Sequence, residues 1–220
     1  MAQRPERMLL TGFEPFGGDR INPSWEIARV LDGERIAGVR VAALQLPCVF
    51  GRANEVLALA LRRQRPRLVL CLGLAANRGA LSVERVGINV DDARIPDNAG
   101  AQPIDQPVVP GAPAAYFATL PIKAMVAAMQ ATGVPAEVSQ TAGTFVCNHV
   151  FFGLMHQLRR RRYVRGGFMH VPLLPEQAAL AGVPSLGGLA LEDQVRGVRV
   201  ALQTAWQVQD DWVHPGGAMS

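Results

Sequence analysis

Apolar runs and amphipathic stretches alternate along the 220-residue chain. Met8 to Gly12 is a short apolar run closing on glycine. Asn22-Pro23-Ser24 then opens a helix, with Asn22 as cap and Pro23 in the first turn, running through Trp25 to Leu31. Val39 to Leu46 reads as a strand and Arg52 to Arg65 as a helix stopped by Pro66. Leu68 to Leu74, LVLCLGL, is apolar on both faces, which marks a central strand covered on two sides. Ser82 to Val90 reads as another strand, and Gly100 to Pro113 as a long proline-rich loop. A helix is predicted from about Pro121 to Thr132, ending at Gly133, then a short strand from Ala136 to Ser139. A helix beginning near Cys147, a strand from Gly167 to Leu173 and a closing helix from Leu191 to Trp212 complete the pattern. This alternation predicts one domain, an α/β sandwich on a largely parallel sheet, with residues 1–7 and 213–220 as loose termini. In such sheets the ligand site lies beyond the carboxyl ends of the strands.

Composition narrows the class without naming an activity. Apolar residues make up 49% and charged residues 18%, which suits a globular chain and not a disordered one. No apolar run reaches the length of a membrane span, so no membrane partner is expected. Met1 to Arg7 lacks the apolar core of a signal peptide, and the cytoplasm is the expected compartment. A net charge of +4 raises the question of a nucleic-acid partner. The single lysine, Lys123, and the scatter of the arginines argue against one. The dense run from Arg159 to Arg162 falls where a helix ends, and cations there complement its dipole. Three widely spaced cysteines do not form a disulfide framework and read as reduced thiols.

Four histidines limit the search for an imidazole. His149 lies two positions after Cys147, about 200° round a helix, and His156 also falls on the far side. His214 belongs to the glycine-rich tail. His170, inside the run GGFMHVPLLP, is either a core histidine or a base at a strand end. Among the thiols, Cys71 sits in the doubly covered strand and Cys48 at a strand-to-helix junction, both suited to packing. Cys147 stands where small and polar residues give way to an amphipathic helix. That position suits packing, or a nucleophile whose pKa the helix dipole lowers and whose neighbouring N–H groups hold an oxyanion. Read with period two, Ser82, Glu84, Val86, Ile88 and Val90 share one strand face. A carboxylate there needs a partner, either solvent or an arginine such as Arg94, or the second ring N–H of His170. GFEPFGG lacks the spacing of a phosphate loop and suits an apolar pocket wall, while DDARIPDNAG concentrates charge after a strand. No Cys/His spacing suggests a metal, and no cofactor is expected.

With these residues laid out, the sequence resembles the pyrrolidone carboxyl peptidase (pyroglutamyl peptidase I) family of cysteine peptidases. The motifs run in order from LLTGFEPFGG through SVERVGINVDDARIPDN and GAPAAYFATLPIK to CNHV and FMHVPLLPEQ. Carried over position by position, the resemblance places the catalytic glutamate at Glu84, the nucleophile at Cys147 and the histidine at His170. It places the pyroglutamyl pocket at Phe13, Phe16, Phe145 and Val146, and polar site residues at Asn22 and Arg94. It also implies a three-layer α/β/α sandwich, pyroglutamyl peptides as substrates and a homotetramer. A related amidase or cyclic-imide hydrolase would use the same triad with a changed pocket. Two departures stand out. Asn77 precedes Arg78 where the family's GxAxGR loop has glycine, and asparagine tolerates the left-handed conformation. Leu74 stands where some members carry glutamine.

Overall fold

The computed structural model describes residues 6–161, 163–180 and 188–215. A seven-stranded sheet runs through the centre in the order β2-β3-β1-β4-β9-β5-β8. Its strands are β1 (Arg7–Phe13), β2 (Arg35–Ile36), β3 (Val39–Leu46), β4 (Leu68–Leu74), β5 (Leu81–Glu84), β8 (Ala136–Ser139) and β9 (Arg165–Val171). β3, β1, β4 and β9 are mutually parallel. β5 and β8 pair parallel with each other but antiparallel to β9, and β2 is antiparallel to β3. Because β4 sits at the centre, both faces of LVLCLGL are covered. Leu68, Leu70 and Leu72 join one apolar cluster with residues of helices α1 (Pro23–Leu31), α3 (Ile122–Ala131) and α6 (Leu191–Gln207). Val69 and Cys71 join the other, with α2 (Arg52–Gln64) and α4 (Val146–Leu158). The result is the expected α/β/α sandwich.

Several elements differ from the sequence reading. The stretch from Ser82 to Val90 is two strands: the chain leaves the main sheet at Arg85, whose N–H donates to Ser139 O. The short β6 (Val86–Ile88) then pairs with β7 (Ala115–Phe117) in a separate two-stranded sheet. Glu84 and Val86 therefore do not share a strand face. α6 stops at Gln207, five residues short of Trp212. Arg165 donates to the carbonyls of Val208 (2.7 Å) and Trp206 (3.4 Å), taking up groups that a longer helix would use internally. Asp211 then accepts from the N–H groups of Lys123 and Ala124, capping α3 where the Pro121 ring offers no acceptor. The segment up to Pro215 is thus tied down, with Lys123 donating to His214 O, and is not wholly a loose tail. At the other end Arg7 already belongs to β1, and Glu6 pairs with Arg67 at 3.6 Å. The rest of both predicted loose termini, and Arg162 of the basic run, lie outside the described residues. A sixth helix, α5 (Pro175–Leu180), has the proline-first, acidic first turn of a helix start that the sequence reading passed over.

Candidate active site

Phe145 caps α4 in extended conformation, and no side chain caps the helix. Among the described residues the first-turn N–H groups beside Cys147 therefore have no side-chain acceptor, which leaves donors available to an anion. α4 itself is buried almost all round, not amphipathic as expected, because the 86–117 excursion covers the side away from the sheet. The two residues after Cys147 fix it in place. Asn148 donates to the carbonyls of Ile88 and Val90 and accepts from the N–H of Ile88, all at 2.9 Å. His149 Nδ1 lies 2.7 Å from Asp91 Oδ2, while its Nε2 accepts from the N–H of Gly51 at 3.0 Å. Both ring nitrogens of His149 are engaged, so this buried pair is a strut and leaves no free base.

The Cys147 thiol rests on the sheet at Gly73. A Cβ built on Gly73 would stand 2.7 Å from Cys147 Sγ and 2.7 Å from the Phe168 ring. Only glycine leaves room for the sulfur there. Gly73 is the register partner of His170 on β9, so the thiol and the imidazole lie over neighbouring strands on one sheet face. His170 faces Ser82 across the antiparallel β5–β9 pair, and Glu84 is the diagonal neighbour. His170 Nδ1 lies 2.7 Å from Glu84 Oε1, with Glu84 0% and His170 4% exposed. The carboxylate fixes the tautomer with Nδ1 protonated and leaves Nε2 as the basic nitrogen.

Arg78 completes the group. Its Nη1 donates to the same Oε1 at 2.7 Å and its Nη2 to Thr141 O at 2.9 Å. Sequence reasoning offered Arg94 as an arginine partner for Glu84; the structure puts Arg78 there. Arg94 is exposed on the segment after Asp91 and does not line the cleft. The Ala76-Asn77 turn survives without glycine, closed by Arg78 N–H to Ala75 O at 3.1 Å. Asn77 is not among the described residues with positive φ, so the left-handed tolerance of asparagine is not used.

Burial sets the protonation of the site. It pushes the Cys147 thiol well up from its ordinary value; the neighbouring Cys48 and Glu84 add to the rise, and Arg78 opposes it. Burial also lowers His170, a shift the Glu84 hydrogen bond partly offsets. Both shifts favour the uncharged forms, a thiol and a neutral imidazole, and run against the lowered thiol value that the helix dipole alone suggested. Among the described residues no hydrogen bond joins Cys147 to His170. Such contacts commonly close only when substrate binds. Cys48 and Cys71 are pushed up to about 12, chiefly by burial.

A cleft of ≈ 490 Å³ opens onto the thiol. Phe13, Phe16, Phe145, Leu74, Cys48 and Leu173 supply much of its apolar lining, and Asn22 also borders it. Phe145 is the hub of the aromatic wall, its ring 5.3 Å from Phe16 and 5.4 Å from Phe50. Val146, expected in the pocket, points into the core instead and does not line the cleft. Asn22 Oδ1 accepts from both the N–H and the hydroxyl of Ser24, and its Nδ2 donates to Glu14 O. Its oxygen is spent on capping α1. Cys48, which the sequence favours as a packing thiol over a reactive one, also borders the cleft.

Residues 6–208 match the family model described as pyroglutamyl peptidase. The chain belongs to the pyroglutamyl peptidase family. A curated relative from Cupriavidus taiwanensis, named pyrrolidone-carboxylate peptidase, is 60% identical over 215 residues, covering 96% of this chain and 98% of the relative. One from Escherichia fergusonii with the same name is 55% identical over 212 residues, covering 96% of this chain and 98% of the relative. The crystal structure of pyroglutamyl peptidase I from Bacillus amyloliquefaciens superposes with a TM-score of 0.90 at 42% identity, over 94% of this chain and all of that one. A mutant pyrrolidone carboxyl peptidase from Pyrococcus furiosus does so at 0.87 and 41% identity, over 91% of this chain and 98% of that one. This pyroglutamyl peptidase family member thus shares the fold of those structures over more than nine tenths of its length. Among the described residues no helix is long and apolar enough to cross a membrane. Nor does any group of three or more His, Cys, Asp and Glu there suit a metal ion.

Proposed function

We propose that the chain is a single-domain cysteine exopeptidase that removes the N-terminal pyroglutamyl residue from peptides through a thioester on Cys147. The observation that carries this reading is the buried Glu84–His170 hydrogen bond on the face where Cys147 Sγ packs against Gly73, the register partner of His170. The cleft that opens onto this sulfur is large enough for a compact lactam ring. His170 Nε2 takes the thiol proton as Sγ bonds to the pyroglutamyl carbonyl carbon. The resulting oxyanion lies by the uncapped first-turn N–H groups of α4. The tetrahedral adduct collapses, the C–N bond breaks, and the leaving amine takes the proton from His170. Water then gives a proton to the same nitrogen, attacks the thioester and releases pyroglutamate with the thiol restored.

Glu84 holds the His170 tautomer and steadies the imidazolium, which exists only during turnover. Glu84→Gln should therefore lower kcat on a pyroglutamyl fluorogenic amide by on the order of 10²-fold or more while KM changes little. Wild-type kcat in that variant would reduce the site to a Cys/His dyad. The reading extends to a homotetramer acting in the cytoplasm, for which family membership is the main support. Ile104 and Phe117 are large apolar side chains left exposed on the 86–117 excursion, a surface that copies of the chain could cover. Light scattering at micromolar concentration should give four chain masses, and a monomer would refute this assembly.

A further inference from the structure

The Glu84 carboxylate has two partners on one oxygen and none on the other. His170 Nδ1 and Arg78 Nη1 both lie 2.7 Å from Oε1, and Oε2 is buried with no hydrogen-bond partner among the described residues. Such crowding is not needed to orient the imidazole, since one bond from Nδ1 to a carboxylate does that. It does place a fixed cation inside the site. Arg78 also spans two elements: its second arm donates to the carbonyl of Thr141, in the loop that leads into Phe145 and Cys147.

We infer that Arg78 is a positioning residue of the hydrolytic site, acting through Glu84 as the fixed counter-charge that keeps the Cys147–His170 pair neutral at rest and ready to transfer a proton. The inference rests on the triad reading above. The charge inventory gives the reason. With Arg78 present, Glu84 and Arg78 cancel, and the thiol and imidazole can remain uncharged. Moving one proton from sulfur to Nε2 then creates a thiolate and an imidazolium with no net charge added to a buried site. Without Arg78, the Glu84 charge has His170 as its only ionisable neighbour within hydrogen-bond reach among the described residues. The imidazole is then held protonated to a higher pH and cannot act as the base.

The charged and titratable groups facing this centre come from every element around it. Glu84 on β5 and Arg78 on the β4–β5 turn act on His170, and on Cys147 they are joined by Cys48 before α2 and Cys71 on β4. Burial is the largest cause for both groups, and Arg78 pulls both toward lower values. Activity requires His170 unprotonated, so the acid limb of kcat/KM follows the His170 value. Removing Arg78 raises that value, and the limb moves to higher pH. A unit charge at this range moves a neighbour by about 1–3 units when buried, and the shallow end applies because Arg78 is partly exposed.

The test compares wild type with Arg78→Ala and Arg78→Lys on a pyroglutamyl fluorogenic amide across pH, with the thermal midpoint and the Cys147→Ala control measured alongside. Arg78→Ala should move the acid limb up by about one unit, a roughly tenfold loss of kcat/KM on the acid side with KM little changed. Arg78→Lys should return the limb toward its original position, since it restores the charge without the bridge to Thr141. If Arg78→Ala does not fold, Arg78→Gln keeps a stem and a donor for Thr141 while removing the charge, and should show the same displacement. A purely structural role would lower the thermal midpoint and scale activity at every pH alike; an unmoved acid limb in the folded variants overturns the inference. The two readings fail separately. Full activity in Cys147→Ala removes the triad, whereas an inactive Cys147→Ala with an unmoved limb in the Arg78 variants removes only the role given to Arg78.

Discussion

Cys147→Ala is expected to reduce hydrolysis of a pyroglutamyl amide to near background, a loss on the order of 10⁴-fold or more, while Cys48→Ala and Cys71→Ala retain much of the activity. Three thiols are free, and their surroundings separate them. Cys71 is fully buried in the central strand and does not line the cleft. Cys48 borders the cleft, where the carboxylates Glu14 and Asp97 oppose its ionisation. Neither has an imidazole assigned to take its proton. The Cys147 thiol is raised as well, but Arg78 opposes that rise, and the residue lines the cleft over the register partner of His170. Iodoacetamide should label Cys147 first, a pyroglutamyl aldehyde should slow that labelling, and the rate should rise with pH, since the raised thiol holds little thiolate near neutrality. Label appearing first on Cys48 would reassign the nucleophile to the other side of the same cleft.

The second large effect is on substrate choice. The enzyme should cleave pyroglutamyl amides and discriminate against N-terminal glutaminyl and prolyl versions of the same amide by on the order of 10⁴-fold in kcat/KM. The lactam is compact and uncharged, and Phe13, Phe16 and Phe145 offer it an apolar slot. An open-chain glutamine brings an ammonium, and its transfer into such a slot without a counter-ion costs about several kcal/mol. The carboxylate bordering the cleft, Asp19, is exposed and near Gln177, where water screens it. Proline keeps the ring but carries a charged nitrogen and lacks the lactam carbonyl, leaving polar groups of the site unpaired. Phe16→Ala should cut pyroglutamyl turnover strongly while Cys147 still reacts with iodoacetamide. Comparable rates on all three amides would contradict the pocket described above.

Much of this architecture is legible in the sequence because burial leaves a simple trace. LVLCLGL announces a strand covered on both sides, and Asn22-Pro23-Ser24 announces a capped helix; both form as expected. Glu84 and His170 were also legible as candidates, since a carboxylate in an apolar strand and one histidine inside an apolar run each ask for a partner. The change of sheets at Arg85 left a trace that the single-strand reading overrode: the apolar positions switch phase there, from Leu81 and Val83 to Val86, Ile88 and Val90, with two charged residues between. Arg78 was missed as the partner of Glu84 for a different reason: the β4–β5 turn folds it back across the strand end, while Arg94, equally plausible by sequence, ends exposed. Gly73 carried a signal that went unread, since a glycine inside a central strand marks a close approach. Asn22 shows the reverse case, in which one residue lines the cleft but spends its oxygen on the helix it caps.

The central claim is that a pyroglutamyl acyl group rests on Cys147 during turnover. Acid-quenching the enzyme within the first turnovers of a pyroglutamyl fluorogenic amide, followed by peptide mass mapping, tests this directly. The account predicts the mass of one pyroglutamyl acyl group on the peptide containing Cys147, absent from Cys147→Ala and from enzyme given the prolyl amide. Turnover of the pyroglutamyl amide with no acylated Cys147 at any quench time, or acylation of Cys48 in its place, would contradict it.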